Sequence, residues 1–172
     1  MTPWPLAGQA ALMMFPLLMI IAGAGDVMTL RIPNRLIMIL VATFPPFALA
    51  VGMSPLIFAI HVATAAVLLT AGFALFSLRL FGGGDAKLLA AAALWLGFPC
   101  AIPFVFFTAI AGGVLALAIG IMHAVQQEAE VQAPALGRLF TGFRPDVPYG
   151  FAIAIGAILT LPLTWWTVVA GH

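Results

Sequence analysis

Asp26 and Asp85 are the residues of this sequence best suited to chemistry. Asp26 closes one apolar run, Asp85 opens another, and each lies beside glycine. A carboxylate inside or at the rim of a membrane is costly, so it tends to face a bundle interior and to have a task. Two carboxylates brought together cannot both ionise cheaply; one keeps a proton and its apparent pKa rises. The ionised partner can then act as general base on a water held between them, while the protonated one donates to a carbonyl. That chemistry cleaves an amide with neither a metal nor a covalent intermediate. The sequence offers no Cys–His pair near these aspartates to act as nucleophile and base instead. Taken singly, each aspartate could merely mark a helix end, and the helix dipole favours a negative charge such as Asp85 at an N-terminus.

The elements that must position the pair follow from composition. Of 172 residues, 65% are hydrophobic and 6% charged, against roughly 25% charged in soluble domains. So few charges cannot cover a water-facing surface, and lipid must do it. A membrane helix needs about 20 mostly apolar residues. The runs are Leu6 to Ala24, Leu36 to Val51, Leu56 to Leu78, Leu88 to Gly97, Ile102 to His123 and Tyr149 to Ala170. They predict an all-α, polytopic membrane protein of about six helices in one domain, residues 1–172. The fourth run is short: it either reaches half way across or continues through Phe98 and Pro99 with a bend. No Lys or Arg precedes the first run, so it reads as a retained helix and not as a cleavable signal.

Arg31, Arg35, Arg79, Lys87, Arg138 and Arg144 all fall in the connections after runs one, three and five, and so do all five acids. The intervening connections carry no charge. The positive-inside rule makes the charged side cytoplasmic and puts both termini outside. A net charge of +1 argues against nucleic acid as a partner, since phosphate binding needs a basic patch. Cys100 is the only cysteine; it forms no intrachain disulfide and reads as a small packing residue. His61 reads as a helix-packing residue with a local hydrogen bond, His123 as the end of the fifth helix, and Trp165 and Trp166 as interface residues.

Three segments share the charged side: Asp26 followed by Ile32-Pro33-Asn34; Gly82-Gly83-Gly84-Asp85 with Lys87 leading into a helix; and Pro148-Tyr149-Gly150 opening the last run. A glycine-rich turn alone is ordinary. In this order and spacing the three resemble the type IV prepilin peptidases, the GxGD membrane aspartic proteases, over essentially the whole chain. The resemblance implies that Asp26 and Asp85 are the catalytic pair, with Gly82 and Gly84 completing the GxGD motif and Lys87 as the basic residue after it. Pro33 and Asn34, and Pro148, Tyr149 and Gly150, match two further family segments, which look like scaffold, with Tyr149 as an interface anchor. No metal or cofactor is implied. The larger members that also N-methylate pilins carry paired CxxC motifs, which this sequence lacks. It therefore resembles the short, peptidase-only type of tight-adherence (Flp) pili, and archaeal preflagellin peptidases are neighbours in catalytic logic.

The implied partners are prepilins or pseudopilins in a bacterial inner membrane, cleaved near its cytoplasmic face. Glu128, Glu130 and Asp146 are candidates to attract a basic leader by complementary charge. Two other classes fit the composition. One is a small proton-coupled transporter, although transporters more often hold their acids near the bilayer midplane. The other is a non-enzymatic subunit of a pilus or secretion apparatus.

Overall fold

A computed structural model describes residues 4–132, 147–164 and 166–167. Among the described residues the regular structure is helical. The helices are α1 (Trp4–Thr29), α2 (Asn34–Ala50), α3 (Pro55–Ser77), α4 (Gly83–Leu96), α5 (Phe98–Gln132) and α6 (Tyr149–Thr160), with a 3-10 turn at Leu161–Leu163. This is the expected all-α architecture. Three helices are long and apolar enough to cross a membrane, at residues 8–29, 55–77 and 98–125, while α2 and α6 with its 3-10 turn are shorter apolar helices.

The helix limits differ from the apolar runs where polar residues extend a helix. Helix α1 continues past Ala24 through Asp26 to Thr29, so Asp26 lies in its last turn and not just after it. Helix α5 absorbs residues 126–132, the segment that reads from sequence as either a solvated loop or a helix extension. The last apolar run breaks at Pro162, where α6 gives way to the 3-10 turn.

Helix α4 sits at the centre. Its residues from Ala86, apart from Lys87, are buried all round, the mark of a helix with no lipid or water face. It packs most extensively on α3 and also meets α2, α5 and α6, while α6 packs on α1 and α5. Glycines set the closest approaches. A Cβ on Gly72 of α3 would lie 3.0 Å from Ala86 of α4, and one on Gly156 of α6 would collide with Thr108 of α5. Small residues at such crossings let backbones approach, which matters where lipid tails remove the hydrophobic drive for helix association.

With 14 residues, α4 is roughly 21 Å long at about 1.5 Å per residue, short of the ~30 Å hydrocarbon core. It stops at Gly97, whose φ of 75° is costly for any residue with a Cβ, and α5 starts at once. A helix end buried in a bundle leaves carbonyls that must find donors. Here they do. Gly97 N–H bonds the Ala93 carbonyl at 2.9 Å. His61 Nδ1 bonds the Leu94 carbonyl at 2.7 Å, and the Trp166 indole donates to the Trp95 carbonyl at 2.7 Å.

His61 is thus a packing residue as expected, though its hydrogen bond reaches across to another helix. Trp166 is a correction to the interface reading: it is buried, with its ring 5.4 Å from that of Trp95. Trp165 lies outside the described residues. Cys100 is buried, its thiol donating to the Leu163 carbonyl at 3.3 Å.

Candidate active site

Asp26 and Asp85 meet at one cavity of about 640 Å³, at the end of the bundle where α1 turns into α2 and α3 into α4. Arg31, Asn34, Arg79 and Tyr149 share its walls. The two aspartates arrive there by opposite routes. Asp26 stands in the last turn of α1, where the carbonyl end of the helix dipole disfavours a negative charge. The first turn of α6 compensates: Gly150 N–H donates to Asp26 Oδ2 at 2.7 Å, and the next amide, Phe151 N–H, acts on the same carboxylate. A helix N-terminus presenting free N–H groups is a ready site for an anion. The Asp26 side chain is buried but not unpartnered.

Asp85 is the third residue of α4, where the dipole is favourable. Its Oδ2 accepts the N–H of Gly82, the N-cap residue, at 3.1 Å, which is one half of a capping box. Burial, reinforced by the charge of Asp26 and opposed by the Gly82 hydrogen bond, pushes the Asp85 carboxyl up from the ordinary 3.8 to about 6.

The glycines beside the aspartates have a steric reason. A Cβ on Gly82 would lie 2.6 Å from Asp85 Oδ2, and one on Gly150 would lie 2.8 Å from Asp26 Oδ2. Each carboxylate folds onto a backbone N–H that only glycine leaves open. Gly84 is different: its Cβ position meets Ile32 at an ordinary 3.5 Å. Crowding within the chain therefore does not explain that glycine.

Pro33 is the N-cap of α2, with φ −63° and ψ 127°. Asn34 follows, and its Oδ1 accepts from Lys87 Nζ at 3.3 Å, tying the start of α2 to the start of α4. Pro148 is the N-cap of α6. Tyr149 lies against Phe81, ring centroids 5.2 Å apart, and lines the cavity, so it is part of the site wall and not a free interface anchor. Gly150 likewise does more than shape a scaffold, since it holds Asp26 directly.

Sequence reasoning missed the part that several residues play in the site. The Ile32 side chain wedges between Gly84 and Gly150, and so between the segments that carry Asp85 and hold Asp26. The sequence marks it only as the first residue of the Ile32-Pro33-Asn34 segment and gives no sign of this contact. Leu30 and Arg79 both line the cavity with positive φ, 52° and 60°, a conformation costing roughly 1–2 kcal/mol for a residue with a Cβ. Such strain gathers at functional sites. The side chains of Glu128 and Glu130, and the whole of Arg138, Arg144 and Asp146, lie outside the described residues.

Apolar helices that close at one end around a polar cavity holding two carboxylates define an integral membrane protein equipped for chemistry at that end. The chain belongs to the type IV leader peptidase family, whose sequence profile matches residues 13–117. That stretch contains both aspartates and the glycine turn but stops short of Gly150. Family membership makes the chain a peptidase of the class that removes leaders from prepilins, and it favours that reading over a transporter or an inert subunit. No curated protein and no solved structure matches the chain.

Proposed function

We propose that the protein is a membrane aspartic endopeptidase that removes the leader of type IV prepilins, of the short Flp-like kind, with Asp26 and Asp85 activating a water. The observation that carries this reading is the convergence of both carboxylates on one cavity, each accepting a glycine N–H at its Oδ2. For Asp85 that tether leaves the other oxygen for water or substrate.

The surroundings support a division of the two roles. Asp26, facing the amides that open α6, is given the role of general base. Asp85 keeps the shared proton. Asp26 accepts a proton from water as its oxygen adds to the scissile carbonyl carbon, and Asp85 gives its proton to the carbonyl oxygen. When the resulting gem-diol collapses, Asp26 passes its proton to the leaving nitrogen and a diol hydroxyl returns one to Asp85. Both carboxyls end as they began.

The charged connections support a cytoplasmic position for this cavity by the positive-inside rule, with the leader entering from that side. Glu128, Glu130 and Asp146 are proposed to draw in its basic residues. Methylation of the product is not part of the proposal.

The test is co-expression with a prepilin, comparing the parent with Asp26→Asn and Asp85→Asn, which preserve side-chain shape. Each is expected to lower cleavage by at least about 10³-fold, since the members of a catalytic unit act together. Substantial cleavage by either variant would sink the assignment. Loss of cleavage with a chelator and recovery with zinc would replace it with a metal-dependent mechanism.

A further inference from the structure

We propose that the apolar segment following the leader of the substrate docks in a lateral groove between α2 and α3, and that the chain crosses from there into the catalytic cavity over the Asn34–Lys87 bond. The inference rests on the leader-peptidase reading and adds the enzyme surface that grips the membrane part of the substrate.

Helices α2 and α3 are consecutive; Phe44 of α2 stacks on Phe58 and His61 of α3, but their backbones stay apart and each packs on α4 instead. The gap between them is a groove of about 440 Å³, walled by Ile37 and Val41 of α2 and by Val62 and Ala66 of α3, and floored by Ala90 and Leu94 of α4. Its lining is apolar but for Lys87 at the end nearest the catalytic cavity. Val41 and Val62 are each 44% exposed, so in a membrane the groove opens sideways to lipid.

Helices in lipid associate through close packing, and small residues permit it. Ala66 and Ala90, with Ala65 and Ala91 beside them, give an incoming helix that surface. The groove also joins the site. Lys87 lines the groove, Asn34 lines the catalytic cavity, and the two side chains are hydrogen-bonded at 3.3 Å. Asp85 and Lys87, two residues apart on α4, point about 200° apart around a helix some 10 Å across. About three extended residues at ~3.3 Å each would cover that distance.

A substrate with an apolar helix and a polar leader matches this order of surfaces: apolar groove, Asn34–Lys87 seam, polar cavity. A lipid acyl chain would fill the groove but has no polypeptide to send over the seam. The observations therefore favour the peptide segment.

The experiment places the photo-crosslinker p-benzoylphenylalanine at Val41 or Val62, and separately at Leu117 or Ile121, which are 66% and 55% exposed on α5. The host is full-length Asp85→Asn enzyme in membranes, which retains uncleaved prepilin. Adducts with prepilin are expected at least tenfold more often from Val41 and Val62. Equal yields at the four positions, or lipid adducts alone from the groove, would overturn the proposal. With both aspartates intact, Ala66→Trp is expected to raise KM for membrane-embedded prepilin at least fivefold with kcat within twofold, whereas Leu117→Trp changes neither. An unchanged KM for Ala66→Trp counts equally against it. If the parent cleaves prepilin but the groove tests fail, only this inference falls. A parent that cleaves no leader-bearing substrate overturns the leader-peptidase reading and this inference with it.

Discussion

The aspartates are symmetrical in one respect that the sequence hides: each is pinned by the N–H of a glycine that has no room for a side chain. For Asp85 the glycine is three residues away and the turn is local. For Asp26 it is Gly150, 124 positions along the chain, so no local pattern could reveal it. On the proposed mechanism Gly150 is a positioning residue. In Gly150→Ala the new methyl would lie 2.8 Å from Asp26 Oδ2 and 2.7 Å from Ile32 Cδ1, so the carboxylate must move or give up its hydrogen bond. Displacements of about 1 Å at a reacting centre cost on the order of 10²-fold. Gly150→Ala is expected to lower kcat by roughly 10- to 100-fold with KM within threefold. Gly25→Ala is the control: nothing lies within 4 Å of its Cβ position, and its kcat should stay within twofold. Prepilin cleavage in detergent measures both, and a Gly150→Ala enzyme with parental kcat would refute the positioning role. The Asp85 carboxyl, pushed up to about 6, makes a second prediction. If Asp85 must be protonated, kcat/KM falls as pH rises through about 6. A profile flat from pH 5 to 8 would contradict that assignment.

At the scale of the helix, the unusual element is α4, because it carries Asp85 at one end and stops inside the protein at the other. Its terminal carbonyls are served by His61 from α3 and by Trp166, which follows α6. A buried acceptor left without its donor costs about 1–3 kcal/mol. Trp166→Phe keeps a ring to stack on Trp95 but removes the indole N–H, and a loss of that size is about 2–10 °C in Tm for a chain of this length. Cleavage, some 14 Å or more along α4 at ~1.5 Å per residue, is expected to keep its kcat within threefold. Thermal melts and kinetics of the purified variant check this; an unchanged Tm would mean that the cap contributes nothing. The same helix shows how far a sequence can be read. The hydropathy runs locate α2 and α3 to within two residues, since lipid exposure writes a helix directly into composition. They miss the ends of α1 and α5, where the helix continues into polar residues. The fourth run is visibly short, but its ending depends on donors from two other segments, which is tertiary information. The aspartates are legible because charges are scarce in this chain; Ile32 is legible only as part of the Ile32-Pro33-Asn34 segment, because its place between Gly84 and Gly150 is tertiary information.

At the scale of the whole molecule, the charged residues that are described gather at one end, and the bundle bears a cost for it. Leu30 and Arg79 sit in strained backbone, Asp26 lies at the unfavourable end of α1, and Asp85 is held where its charge is disfavoured. The last of these is open to measurement through linkage. A carboxyl whose pKa rises from 3.8 in the unfolded chain to about 6 in the fold binds its proton more tightly when folded. Its contribution to stability is therefore full below the unfolded value and is lost as pH rises through about 6. A rise of that size corresponds to about 3 kcal/mol for a fully buried group. Asp85 is partly exposed, and solvent screening reduces this to on the order of 1 kcal/mol. The parent is therefore expected to melt a few degrees lower at about pH 7.5 than at about pH 4.5. Asp85→Asn, which cannot ionise, should lose much of that slope and be the more stable protein at the higher pH. Melting curves of both proteins in one detergent across this range decide the matter. If the slopes coincide, ionisation of Asp85 is not what the fold resists. If only the parent slopes, the cavity end of the bundle is held together against the preference of the Asp85 carboxylate.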